Sequence, residues 1–434
     1  MARRARWLII LHTLIPGSAQ LVAGNRRFAR IGIIGTLTIW ALLILAGVLY
    51  FINRTWLFWV VTNPILSGVG AALAIAWAVL YFALSIDTIR LIRLVRLPHR
   101  SRRVALVASL LVTALGTSAF GYAGNVAISQ TSLVGAVFNQ TGGLTPVDGQ
   151  YNILLLGGDA GPDRFGLRPD SISVLSINAE TGDTVNIGVP RNLQRVSFVK
   201  GSPMLKYYPN GWDCGVECLL NAIYKTTIDN HPKAYPNAIK DGSDPGVEAT
   251  KDAVEYVTGL QIQAYVMVDM YAFRKLIDAL GGVTINVKER LPIGGDEDAY
   301  GQPINVKGWI EPGLQHMSGY RALWYARARH GSNDFVRMGR QREVERALLA
   351  QLEPVNVLAR FNELSKAGRL LIRTDIPSDM LPVFLDLAIK AKAKGLGSLE
   401  LVPPTISTIY PNFKQIHKLV QRAIHPAPTP AATQ

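Results

Sequence analysis

"YNILLLGGDAGPDRFGLRPDSISVLSIN", residues 151–178, decides the fold of the larger part of the chain. "YNILLLGGD" (151–159) is an apolar run closed by two glycines and an aspartate, and "SISVLSIN" (171–178) is a second run. Both read as strands, with a glycine- and proline-containing turn region between them. "TVNIGVP" (184–190) follows the turn-like "AETGD" as a third. Farther on, "AYVMVDM" (264–270), "YAFRKLIDALGG" (271–282) and "VTINV" (283–287) read as strand, helix and strand, with glycine at the helix exit. "SGYRALWYARAR" (318–329) and "QREVERALLAQLE" (341–353) read as helices, the second with Val344, Ala347, Leu348 and Leu352 on one apolar face. A capped helix beginning near Ser378 and a strand "SLELV" complete the pattern. Strands alternating with helices predict an α/β domain over residues 150–424, a mixed central β-sheet flanked by helices. "HPAPTPAATQ" (425–434) has the composition of a disordered tail.

The residues before this domain have a different chemistry. Over the whole chain 49% of residues are hydrophobic and 18% charged, with a mean hydropathy of +0.20, and the apolar residues concentrate near the N-terminus. Residues 31–52 and 55–86 hold no charge, and 104–124 is a third apolar stretch. Each reaches the roughly 20 residues that a spanning helix needs, so 31–124 reads as three transmembrane helices. Trp56, Trp59 and Tyr81 lie near the ends of the second stretch, as interfacial aromatics do. Arg3, Arg4, Arg6, Arg26, Arg27 and Arg30 precede the first span, and "DTIRLIRLVRLPHRSRR" between the second and third holds six more arginines. The positive-inside rule puts both basic segments in the cytoplasm. The reading is therefore a multi-pass cell-membrane protein with a cytoplasmic N-terminus and an extracytoplasmic domain. Residues 1–30 form a cytoplasmic or interfacial segment, in which 7–24, broken at Pro16-Gly17, reads as re-entrant. Residues 125–149, rich in Gly, Ser, Thr, Gln and Asn, read as a linker.

The net charge of +14 calls for an anionic partner. It gathers in "RARHGSNDFVRMGRQREVER" (327–346), where six arginines face three acids and no lysine occurs, although the domain uses lysine at Lys200, Lys206 and Lys390. Guanidinium forks bind phosphate oxygens bidentately, which favours a phosphate site over a solvated charged face. With the helix starting near Arg337, that residue, Arg340 and Gln341 share a face. Nucleic acid is not expected, because the arginines lie outside the membrane and lack interleaved aromatics for base stacking. Asp159 closes one strand and Asp170 opens the next, so adjacent strand ends can bring both carboxylates to one rim of the sheet. As hard oxygen ligands with no Cys or His nearby they suit Mg²⁺, and the alternative is that Asp159 and Asp163 are turn formers. Arg168 lies two residues before Asp170, and Arg191 follows the third strand on the same predicted rim. Such a site fits a diphosphate, and beside a bilayer the substrate class is a polyprenyl-diphosphate-linked saccharide. Cys214 and Cys218 cannot form a four-ligand zinc site alone, and in an oxidising compartment they can close a local disulfide; free thiols are the alternative.

"NILLLGGD", "RPDSISVLSIN", "VNIGVPRNL" and "LWYARARHGSNDFVRMGRQREV", in that order, resemble the LytR-CpsA-Psr family of bacterial cell-wall glycopolymer ligases. The motifs are G-x-D, R-x-D-[ST], P-R-[DN] and R-x-R-x₄-D-x-x-R-x-x-R-Q, and the resemblance covers 150–353 and extends toward 424. It implies an αβα sandwich and an enzyme that moves a sugar-1-phosphate-linked polymer from a polyprenyl diphosphate to a peptidoglycan hydroxyl. It also implies Mg²⁺ held by Asp159 and Asp170, and a diphosphate bound by Arg168, Arg191, Arg329, Arg337 and Arg340 with Gln341 beside them. Asp170, Arg191 and Arg337 are the expected catalytic set, with Asp170 the candidate base, although a metal-bound carboxylate is a weak base. Asn192 stands where many members have Asp and Ser171 where many have Thr, and three spans exceed the family's usual single anchor. The same charges would also serve a diphosphate hydrolase or a non-enzymatic lipid-linked-glycan-binding regulator.

Overall fold

The computed structural model describes residues 2–23, 25–138, 142–158, 168–298, 302–328, 334–351 and 372–426. The chain divides into two units, Met1–Ser132 and Leu133–Gln434.

In the first unit α1 (Ala2–Leu14) and α2 (Ser18–Ala23) flank Pro16-Gly17 and are followed by α3 (Arg26–Ile52), α4 (Arg54–Thr62), α5 (Pro64–Ile92) and α6 (His99–Val137). Among the described residues, three helices are long and apolar enough to cross a membrane: Arg26–Ile52, Pro64–Arg96 and His99–Val137. The uncharged run 55–86 is not one helix. Asn63 caps α5 by accepting the Ile65 and Leu66 N–H groups, and Pro64 takes the first helical turn, so the chain breaks there. The segment 7–24 folds back as the α1–α2 pair. Gln20 donates to Leu84 O and Thr88 Oγ1 of α5, and Thr36 of α3 donates to Pro16 O. Close approach at Gly17 and Gly32 makes this possible, since a Cβ on Gly32 would lie 2.7 Å from the Gly17 Cα. The expected linker from 125 is corrected as well, because α6 continues to Val137. Its polar residues bond back onto the helix instead of breaking it, as Thr131 Oγ1 does to Ala127 O at 3.0 Å.

The second unit holds the predicted mixed sheet. Its strands are β1 (Gln150–Gly158), β2 (Pro169–Asn178), β3 (Thr184–Val189), β4 (Ala264–Asp269), β11 (Ile372–Thr374) and β12 (Leu396–Glu400), in the spatial order β11-β4-β1-β2-β3-β12. β1 runs antiparallel to β2 and parallel to β4, and β3 runs antiparallel to β2 and parallel to β12. One face of the sheet buries Leu154, Leu156, Val174 and Ile187 against α7 (Ala222–Asn230), α8 (Pro245–Thr258) and the last helix, α13 (Phe413–Ile424). The other face buries Tyr151, Ile153 and Ile177 with Leu387 of α12 (Leu381–Lys394). The layers are therefore helix, sheet, helix.

The predicted strand–helix–strand unit is only half in the sheet. β4 and α9 (Met270–Leu280) form as expected, but β5 (Val283–Val287) pairs antiparallel with β10 (Gly313–Met317) in a separate ribbon. Between these two, β6 (Leu291–Ile293) pairs with β9 (Gly308–Ile310) and β7 (Asp296–Glu297) with β8 (Pro303–Ile304), extending the excursion as short hairpin ladders. Gly281 and Gly282 both take positive φ, 93° and 95°, and turn the chain away from the sheet. Val283, Ile285 and Val287 then bury against α10 (Gly319–Arg327) and α11 (Asp334–Gln351), where Ala322, Tyr325 and Val344 close a second core. α11 begins at Asp334, three residues before the expected start. The composition-based tail falls, at 427–434, outside the described residues.

Candidate active site

The site grows from strand ends. β1 and β2 pair as a hairpin with Gly158 opposite Pro169, so Asp170 sits on the rim where β1 ends. β3 returns to the same rim, with Val189 opposite Ile172, and Pro190 delivers Arg191 there. The alternation of chain direction puts both residues on one edge without any long-range feature of the sequence having to specify it.

Arg191 ion-pairs with Asp170 through Nη1 and with Asp334 through Nε, the latter at 3.1 Å. Arg337 Nη2 donates to the Asp170 backbone carbonyl at 3.1 Å and pairs with Asp334 Oδ1 at 3.1 Å. Asp334 thus lies between two guanidiniums, one turn before Arg337 and in the first turn of α11, where the helix dipole favours a carboxylate. Arg337 is buried, while Asp170, Arg191 and Asp334 keep roughly a fifth to a quarter of their side-chain surface. Burial works against the charge on Arg191, but Asp170 and Asp334 outweigh it, so its pKa moves above the ordinary arginine value. Gln341, on the same face of α11 as Arg337, has its carbonyl oxygen buried without a hydrogen-bond partner among the described residues.

Of the residues named from sequence, the fold brings Asp170, Arg191 and Arg337 together, with Gln341 one turn beyond Arg337 on α11. Arg168 is exposed beside Asp170. Arg340 points elsewhere: its guanidinium donates to Ala328 O at 2.6 Å and to Glu289 at 2.5 Å, beside a cleft of about 200 Å³ also lined by Lys288, Tyr325 and Glu343. Three-residue spacing puts Arg337 and Arg340 on neighbouring turns, but Arg337 meets Asp170 and Asp334 while Arg340 meets Ala328 and Glu289. Asp159, Asp163 and Arg329 lie outside the described residues. Cys214 and Cys218 form a disulfide.

Two residues of the site and its support are not among the site residues named from sequence. Asp334 is visible as the acid inside the arginine-rich stretch, three residues before Arg337. Arg342 has no signal beyond its type. It is 1% exposed and pairs with Glu345 on its own helix and with Glu400 Oε1, at 3.3 Å, on β12. Asn186 of β3 donates to Glu345, so this network fastens α11 to the sheet.

For a hard cation, the test is the donor set. Asp170 offers carboxylate oxygens at the rim with Arg191 competing for them, and Asp334 lies on the other side of the same guanidinium. Among the described residues no three His, Cys, Asp or Glu side chains gather in a cage. That donor set suits an ion that takes one or two carboxylates and completes its shell with phosphate oxygens and water, as Mg²⁺ does.

The chain is 30% identical to the polyisoprenyl-teichoic acid–peptidoglycan teichoic acid transferase TagU of Oceanobacillus iheyensis, over 54% of this chain and 61% of that protein. It is thus matched to less than two thirds of that relative's length. To the TagU of Halalkalibacterium halodurans it is 26% identical, over 58% of this chain and 69% of the relative. A crystal structure of B. subtilis TagV superposes with a TM-score of 0.44 at 20% identity, covering 65% of this chain and 100% of that one. Residues 123–407 match the model of the LytR_cpsA_psr family, and the chain belongs to that family.

Proposed function

We propose that the protein is a membrane-anchored, Mg²⁺-dependent phosphotransferase that moves a glycopolymer from a polyprenyl diphosphate carrier to a peptidoglycan hydroxyl, outside the cell. One observation carries the reading: Asp170, Arg191, Asp334 and Arg337 meet on one rim of the sheet, with each arginine already held by carboxylates. The names of the TagU relatives supply the substrate class, and the three membrane-length helices suit an enzyme whose donor is a lipid.

The chemistry asked of these residues is mainly charge and position. The acceptor oxygen attacks the phosphorus bonded to the sugar, that phosphorus gives up its bridging oxygen to the departing polyprenyl phosphate, and the hydroxyl proton passes to a base. Bound at Asp170, with Asp159 as the expected second carboxylate, Mg²⁺ would neutralise the diphosphate. Arg191 and Arg337 would exchange their carboxylate partners for phosphate oxygens, at little cost because both guanidiniums are already oriented. Arg168, exposed at the mouth, would meet the outer phosphate.

The test uses the full chain in nanodiscs with a polyprenyl-diphosphate oligosaccharide, Mg²⁺ and a peptidoglycan fragment, read by mass spectrometry. A phosphodiester-linked product should form and fall by about 10²–10³ in Arg337→Ala, the scale of losing one preorganised charge donor. Release of free sugar phosphate without product would make the protein a hydrolase. Lipid binding with no reaction would refute the enzyme.

A further inference from the structure

α9 and α10 share a surface that the candidate site does not use. Lys275 Nζ lies 5.5 Å from the centre of the Tyr271 ring, and the Arg274 guanidinium 5.3 Å from that of Tyr320 across the helix pair. Tyr320 meets Trp324 edge to face at 6.4 Å, and Arg327 lies 5.8 Å from the Trp324 ring. The result is a continuous ladder of rings and cations. Three such contacts fall on these two helices, and Trp324 anchors the ladder by packing against the second core.

Lys225, Lys390 and Arg290 pair with Asp229, Asp386 and Glu311. Arg274 and Lys275 have no carboxylate partner among the described residues. The nearest acids in sequence, Asp269 and Asp278, each accept a backbone N–H at 2.7 Å, from Ala272 and Gly319. Tyr271 is 50% exposed. Amphipathic rings flanked by two cations with no counter-ion among the described residues, Arg274 and Lys275, match the headgroup layer of a bilayer, where the rings sit among glycerol groups and the cations meet phosphate.

We infer that this α9–α10 face docks on the headgroup layer of an anionic bilayer. Three helices of the same chain are long and apolar enough to cross a bilayer. The face also begins at the working rim, because α9 leaves β4 at the end that pairs with Gly158. The inference rests on the proposed function only in assuming a membrane-anchored chain. A docked face would present the rim toward a lipid-linked donor.

Both native cysteines are in the disulfide, so one introduced thiol can carry a fluorophore. Bimane would be placed in the full chain at Leu323→Cys, on α10 between Tyr320 and Arg327, or at Ile239→Cys. Leu323 is half-buried at the edge of the ladder, whereas Ile239 is exposed in the loop whose Gly242 carbonyl accepts from Tyr265 at the opposite end of β4. In phosphatidylglycerol-rich nanodiscs bearing a headgroup nitroxide, the label at 323 should lose fluorescence and the label at 239 should not. Arg274→Ser with Lys275→Ser should restore the signal at 323. Equal quenching at both positions, or none at 323, would overturn the inference. So would a label at 323 that responds to peptidoglycan fragments and not to lipid, which would make the face a glycan platform. No donor, metal or turnover enters the measurement, so loss of the proposed enzyme activity would leave this result standing.

Discussion

The Arg342 network allows a stability prediction with a sign. Arg342→Met removes a guanidinium that is 1% exposed and leaves Glu345 and Glu400 facing each other across the α11–sheet contact with the neutral donors Asn186 and Ser398. Removing one partner of a buried pair costs about 3–5 kcal/mol, because the remaining charge stays in a poor solvent. At about 2–4 °C per kcal/mol for a domain of this size, the melting temperature of the unit from Leu133 should fall by roughly 6–20 °C. Arg342→Met with Glu400→Met should recover most of that loss, since replacing a whole buried pair with apolar groups is often neutral. The deficit should also depend on pH. Burial already pushes the Glu400 carboxyl above its ordinary value of 4.5, with Arg342 opposing the shift. Without Arg342 the folded-state pKa rises further. A carboxyl whose folded pKa exceeds its unfolded one favours the folded state when protonated, and loses that advantage as pH rises through the folded value. The variant should therefore be closest to the parent near about pH 5 and farthest from it near about pH 8. Circular dichroism melts at the two pH values test this. A deficit below about 1 kcal/mol and equal at both would refute the reasoning, because the carboxylates would then be solvated and the apolar contact alone would hold α11.

Other consequences are smaller in scope. Gly319→Ala puts a Cβ 2.0 Å from the Arg274 carbonyl oxygen, with backbone on both sides, so the α9–α10 contact must open at a cost of about 1–3 kcal/mol, seen as a lower melting temperature. Cys214→Ser with Cys218→Ser releases a loop closed over a sequence separation of 4, and loop entropy puts the loss at about 2 kcal/mol by denaturant unfolding, with transfer activity retained. Arg340→Ala should reduce transfer by less than about tenfold, because Glu289 and Ala328 hold that guanidinium away from Asp170, whereas Arg337→Ala should be far more damaging in the nanodisc assay.

Much of this fold is legible in local pattern, and the rest is hidden for identifiable reasons. β1, β2 and β3 are legible because each is a short apolar run between turn residues, and their antiparallel order follows from short connections. That order alone carries Asp170 and Arg191 to one rim. β5 is harder, because local sequence reports a strand but not its partner, and the turn at Gly281 and Gly282 looks like any helix exit. The end of α6 is hidden because composition counts Ser, Gln and Thr as linker residues, whereas Thr131 bonds to its own helix.

α11 shows most clearly where periodicity stops being informative. Asp334 and Arg337 face the rim, Arg340 faces Glu289, and Arg342 faces Glu400, so four polar residues in one short stretch meet three different surroundings. Residue type and spacing rank all the arginines alike as phosphate ligands. Their partners on the sheet separate them: Arg191 and Arg337 meet Asp170 at the rim, where Arg191 keeps about a fifth of its side-chain surface, while Arg342 is closed between Glu345 and Glu400 against β12. An arginine of this stretch is thus placed as a ligand or a fastener by the part of the sheet it meets. That property belongs to the sheet beneath the helix and not to the helix sequence.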